Sequence, residues 1–160
     1  MKLLSVLRPE CIQIGAKATD KDGVIKEIAS IAKRSALLAD VDESVLYKSL
    51  KDREQIGSTG FGRRIAIPHC ALKGLSDFVV GLLIVPRGID FDALDGEPTK
   101  VLAFIVGPSE RRNDHIHLLS GISRVINRSD AVDELLSMRK PETARESFLR
   151  HVVDKLPTGE

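Results

Sequence analysis

The run Arg53-Glu54-Gln55-Ile56-Gly57-Ser58-Thr59-Gly60-Phe61-Gly62-Arg63-Arg64-Ile65-Ala66-Ile67-Pro68-His69 brings an arginine, a hydroxyl-bearing glycine loop and a histidine into one stretch of chain. Each part suits an anion. Histidine titrates near neutrality, with a reference pKa of about 6.5, so a neutral imidazole at His69 can attack phosphorus and later act as a leaving group. Backbone N–H groups of Gly57 and Gly60, with the Ser58 and Thr59 hydroxyls, are placed to bind phosphoryl oxygens, and Arg53 offers a fixed bidentate charge. Phosphoryl transfer asks mainly for this kind of positioning and charge stabilisation. Spacing alone leaves a second reading open, in which His69 is a polar residue closing a short apolar strand and the glycine loop binds nothing.

The surrounding elements must hold these groups in place. Three glycines in residues 57–62 cannot continue a helix and predict a loop of special backbone geometry. Ile65-Ala66-Ile67 reads as a brief strand that Pro68 stops, which puts His69 at a strand end. Cys11-Ile12-Gln13-Ile14 alternates like a half-buried strand. The apolar runs Phe78 to Val85 and Val101 to Val106 are bounded by Pro86-Arg87-Gly88 and Gly107-Pro108, and read as neighbouring central strands buried on both faces.

Helical spacing begins at Asp20, with Thr19 or Asp20 as cap, and predicts a helix ending near Leu37 or Leu38. A second helix follows Asp42 and runs to about Glu54. A third starts near Ser109 or Glu110, capped by Ser109, and its apolar positions continue to Ile126. A short helix follows Ser129, and a last one spans Thr143 to Lys155. With no repeat, low-complexity tract or linker, residues 1–160 read as one domain with a shared core, a helix-rich α/β sandwich.

A chain of 160 residues with 42% hydrophobic content can bury such a core without staples. Its 24 Lys and Arg nearly cancel 23 Asp and Glu, which points to neither nucleic acid nor a membrane surface. The apolar N-terminal stretch stops at Arg8, short of a signal peptide, and Phe78 to Val85 is too short to span a bilayer as a helix. Cys11 and Cys70 lie far apart and follow no CxxC spacing, so reduced thiols and a cytoplasmic location are expected. Cys70 beside His69 has too few companion ligands for a metal, and no cofactor is indicated.

The segment from Arg53 to His69 resembles the active-site signature of the mannitol/fructose/nitrogen class of phosphotransferase-system IIA proteins. There an Arg-Glu pair precedes Gly-Ser-Thr-Gly, and Ala-Ile-Pro-His ends the motif. The likeness continues through Gly88-Ile89-Asp90-Phe91-Asp92-Ala93-Leu94-Asp95-Gly96-Glu97-Pro98 and into Asp114-His115-Ile116-His117-Leu118-Leu119, nearly the whole chain. It implies an α/β (α+β) three-layer sandwich with a mixed central β-sheet flanked by helices. It also implies that His69 is phosphorylated, with Arg53 and His115 orienting it and stabilising the phosphoryl group. His115 and His117, two apart on a helix, point about 200° apart and cannot both face His69. Position 115 matches the motif, which leaves His117 as a surface residue. Arg63-Arg64 departs from the small or uncharged residues usual there and places two extra charges near the phosphate, either to steer an acidic or phosphorylated partner or as a solvated loop.

The resemblance implies a phosphotransferase component that takes phosphate from an HPr-like phosphocarrier and signals to a downstream regulatory target, as in the nitrogen-type branch most like this chain. A sugar-specific IIA protein of the fructose or mannitol type, passing phosphate to a IIB cysteine, would use the same residues. A binding module that is never phosphorylated is the third reading, against which the intact Arg53, His69 and His115 stand.

Overall fold

A computed structural model describes residues 3–153. A short helix α1 (Leu3–Val6) leads into β1 (Leu7–Ile14), α2 (Lys21–Ala32) and α3 (Glu43–Ile56). Three short strands follow, β2 (Gly60–Gly62), β3 (Ile65–Ala66) and β4 (His69–Leu72), and then the long pair β5 (Val79–Ile89) and β6 (Thr99–Pro108). The chain closes with α4 (Arg112–Ser123), α5 (Ser129–Ser137) and α6 (Pro141–Val153).

The sheet order is β1-β5-β6-β3-β2, with β4 also on β6 where β3 leaves off. It is mixed, since β5 and β6 run antiparallel whereas β1 on β5, and β3 and β4 on β6, are parallel. The two central strands show why both apolar runs lack alternation. Val80, Leu82 and Ile84, with Val101, Ala103 and Ile105, pack under α4, α5 and α6. Val79, Leu83 and Val85, with Leu102, Phe104 and Val106, pack under α2 and α3. Both faces are dry, so every position is apolar. The expected three-layer sandwich with a mixed sheet is the observed fold.

Local chemistry moves several boundaries. Asp20 caps α2, its carboxylate accepting the Gly23 N–H at 2.8 Å. That helix stops at Ala32 rather than at Leu37 or Leu38, because the buried Ser35 hydroxyl accepts the Leu37 N–H and opens a separate 3₁₀ turn at Ala36–Leu38. The helix expected from Ser109 starts at Arg112. The Ser109 N–H instead donates to Leu72 O at 2.9 Å, and its hydroxyl donates to Glu110. Helix α6 begins two residues earlier than expected, with Pro141 at a first-turn position that needs no N–H donor. Its expected end at Lys155 lies outside the described residues.

His69 opens β4 rather than closing a strand. Pro68 lacks an N–H, but its carbonyl accepts the Ile105 N–H at 3.0 Å, so pairing with β6 resumes at once. Among the described residues β4 pairs with β6 alone, so the missing donor falls on the edge of the sheet, where proline is tolerated.

Candidate active site

At that edge, α3 from one layer and α4 from the other flank β4 and enclose an open cavity of about 480 Å³. Arg53 and Ile56 of α3, His69 and Cys70 of β4, and Arg112 and His115 of α4 line it. The arginine and the two histidines read from the sequence therefore meet in one place, although His115 comes 46 positions after His69 in the chain.

His69 is half-buried, and its Nδ1 lies 2.8 Å from the carbonyl oxygen of Ile67. A carbonyl only accepts, so Nδ1 carries the proton and Nε2 keeps its lone pair. Burial pushes the His69 pKa below the usual histidine value, the Arg53 charge adds to that, and the Ile67 carbonyl and Glu54 oppose it. The ring is thus neutral at neutral pH. Arg53 is braced in turn, its guanidinium donating to Gly57 O at 2.8 Å across the end of α3.

His115 is buried in the first turn of α4. The Phe78 ring meets it edge-on with centroids 4.8 Å apart. Gly107 allows this approach, because a Cβ there would stand 2.3 Å from the Phe78 ring and 2.8 Å from His115 Nε2. That Nε2 is buried without a hydrogen-bond partner among the described residues. Burial lowers the His115 pKa, helped by the His69 charge and opposed by a hydrogen bond to the Gly107 backbone. The two rings are within electrostatic reach of each other.

The glycine loop adjoins the cavity at Gly57, whose carbonyl holds Arg53. None of Gly57, Ser58, Thr59 and Gly60 lines the cavity. The Ser58 hydroxyl donates to Phe91 O at 2.9 Å and accepts from the Gly60 N–H, while the Thr59 hydroxyl and N–H both donate to the Glu54 carboxylate. Arg63 and Arg64 do not stand near His69 as their sequence position implied. They form the tight β2–β3 turn with φ of 52° and 72°. Arg64 pairs with Asp133 at 2.9 Å. Strand β3 meets β6 at Val101, β4 meets it at Ile105, and four residues of strand carry the turn roughly 13 Å along the sheet from His69.

Sequence reading missed Arg112, an exposed cation on the cavity wall. Its signal was the three-residue spacing to His115, which puts both on one helix face. His117 is exposed. Burial pushes the Cys70 thiol up to about 12, which makes it an unreactive wall residue despite its place beside His69. Among the described residues no group of three or more His, Cys, Asp or Glu could hold a metal ion, and no helix is long and apolar enough to cross a membrane.

Residues 5–151 match the family described as "Phosphoenolpyruvate-dependent sugar phosphotransferase system, EIIA 2". Over 154 residues, 96% of both chains, the protein is 34% identical to a nitrogen regulatory protein of Pseudomonas aeruginosa. It is 31% identical over 152 residues to a fructose-specific EIIA component of Haloferax volcanii, covering 94% of this chain and 97% of that one. The nitrogen regulatory protein IIA-Ntr of Neisseria meningitidis has the same fold, with a TM-score of 0.83 at 22% identity over 90% of this chain and 97% of the other.

Proposed function

This chain belongs to the EIIA 2 family of the phosphoenolpyruvate-dependent sugar phosphotransferase system, and we propose that it accepts a phosphoryl group on His69 Nε2 from an HPr-like phosphocarrier and signals through contacts with a downstream regulatory protein. One observation carries the reading: the Ile67 carbonyl holds the His69 proton on Nδ1, which leaves Nε2 as the nucleophile. The Nε2 lone pair forms the new N–P bond as the N–P bond of the carrier's phosphohistidine breaks, and that electron pair returns to the carrier's ring. On opposite walls, Arg53 supplies the charge that neutralises the phosphoryl oxygens and His115 helps to orient them. Exposed Ile56 and Ile116 on the cavity wall offer the apolar surface that a docking protein needs. In this reading the protein works in the cytoplasm.

The fructose-type relative supports a second reading, in which the phosphoryl group passes on to a IIB cysteine during sugar uptake. Incubation with phosphoenolpyruvate, enzyme I and an HPr-type carrier is expected to place acid-labile phosphate on the wild-type chain and none on His69→Ala. Label retained by that variant overturns the assignment. Addition of a IIB domain separates the two readings, since only the transport protein discharges to it.

A further inference from the structure

Glu54 is the neighbour of Arg53 on α3, yet it points into the protein with its side chain 3% exposed. A buried carboxylate is costly unless its oxygens are satisfied. Here Oε1 accepts the Thr59 N–H at 2.8 Å and pairs with Lys21 at 3.1 Å, while Oε2 accepts the Thr59 hydroxyl. Thr59 is itself 2% exposed, and its carbonyl accepts the Ile67 N–H at 3.1 Å. The Ile67 carbonyl is the group that accepts the hydrogen bond from His69 Nδ1–H. The bonds therefore run without a gap from Lys21 through Glu54, Thr59 and Ile67 to the imidazole.

We propose that Glu54 and Thr59 are positioning residues for His69, a carboxylate and hydroxyl pair that fixes the backbone at Ile67 and thereby the Nδ1–H tautomer and the aim of Nε2. This rests on the reading of His69 as the phosphoryl acceptor. It gives the Gly-Ser-Thr-Gly loop a task that needs no contact with phosphate. Gly60 lets the loop lie against the backbone of Phe91 and Ala93, where a Cβ would stand 2.9 Å from Ala93 Cα, and Thr59 locks the loop to Glu54 on α3, next to the Arg53 that lines the cavity. One helix end then sets both the cation and the nucleophile. A ring free to exchange tautomers would present a protonated Nε2 part of the time, and a misplacement of about 1 Å costs up to roughly a hundred-fold in rate.

The test uses the full chain, unphosphorylated, with the His69 ring nitrogens observed by two-bond proton–nitrogen NMR, and phosphoryl transfer from the HPr-type carrier measured in parallel. Thr59→Val removes the hydroxyl and is expected to yield mixed His69 tautomers and transfer slower by roughly ten- to a hundred-fold. Thr59→Ser keeps the hydroxyl and is expected to retain both properties, a rescue that a space-filling role would not give. Lys21→Met leaves the loop untouched and loosens Glu54 from outside. It is expected to show the second tautomer in smaller amount, and it decides the question if Thr59→Val does not fold. A folded Thr59→Val or Lys21→Met protein with the wild-type tautomer and rate overturns the proposal. Because the tautomer is read without phosphate, a chain that keeps its label in His69→Ala but changes tautomer in Thr59→Val would sink the carrier function and leave the positioning role standing.

Discussion

Arg53 and His115 reach the same cavity from opposite faces of the sheet, and different forces hold them there. On the α3 side the supports are polar: Arg53 on the Gly57 carbonyl, and Glu54 on Thr59 and Lys21. On the α4 side they are aromatic. Phe78 packs edge-on against His115, and the Arg111 guanidinium lies 5.1 Å from the Phe78 ring centroid while pairing with Asp77 and Asp114. Hydrogen bonds fix direction and tautomer, which a nucleophile requires. Ring packing fixes position and excludes water, which suits a group that only has to stand beside the phosphoryl oxygens.

The sharpest way to break this division is Phe78→Ala. Phe78 is fully buried, and its loss leaves a cavity under α4, so the expected cost is about 3–5 kcal/mol in a urea melt. Phosphoryl acceptance should fall through a loosened His115, while His69 keeps its Nδ1–H tautomer because the α3 side is untouched. Gly107→Ala attacks the same packing from below. A methyl group 2.3 Å from the Phe78 ring must displace it, for an expected loss of about 1–3 kcal/mol by the same measurement. A stable Gly107→Ala protein with unchanged transfer would mean that His115 is held by something other than the ring.

Arg111→Ala should do much less. Its side chain is 38% exposed, and partly solvated ion pairs and cation–π contacts each contribute about 1 kcal/mol or less. The loss should shrink in high salt, which denaturant melts at two ionic strengths would detect.

The same division explains what the sequence made legible. Arg53, the loop and His69 are contiguous, so their chemistry can be read from types and spacing, and so can the Asp20 cap and the two apolar central strands. The direction of the Thr59 hydroxyl cannot, because it depends on a carboxylate buried against Lys21, 33 residues before it in the chain. Phe78 reads as one more core residue until β5 and α4 bring it to His115. Arg63 and Arg64 looked close to His69 because few residues intervene. The switch of the edge from β3 to β4 along β6 carries them apart, and no local pattern announces it.

The finest test of the two supports is titration. Both histidines have pKa values held below about 6.5, with burial the first cause in each. Between each folded value and 6.5 the unfolded chain binds more protons, so stability is full above about pH 6.5 and is lost as the pH falls through that window. The acid limb of phosphoryl acceptance should accordingly lie below pH 6.5, since Nε2 must be unprotonated to attack. Arg53 lowers the pKa of His69 but is not among the causes acting on His115. Arg53→Gln is therefore expected to raise the His69 pKa and shift that limb toward neutrality, with His115 unchanged or lowered by the greater His69 charge, while Phe78→Ala, by admitting water, should raise His115 first. NMR titration of the two rings distinguishes these outcomes. An Arg53→Gln protein in which both pKa values rise together would show that Arg53 acts directly on the far face of the sheet, and the separation drawn between a hydrogen-bonded wall and a packed one would fail.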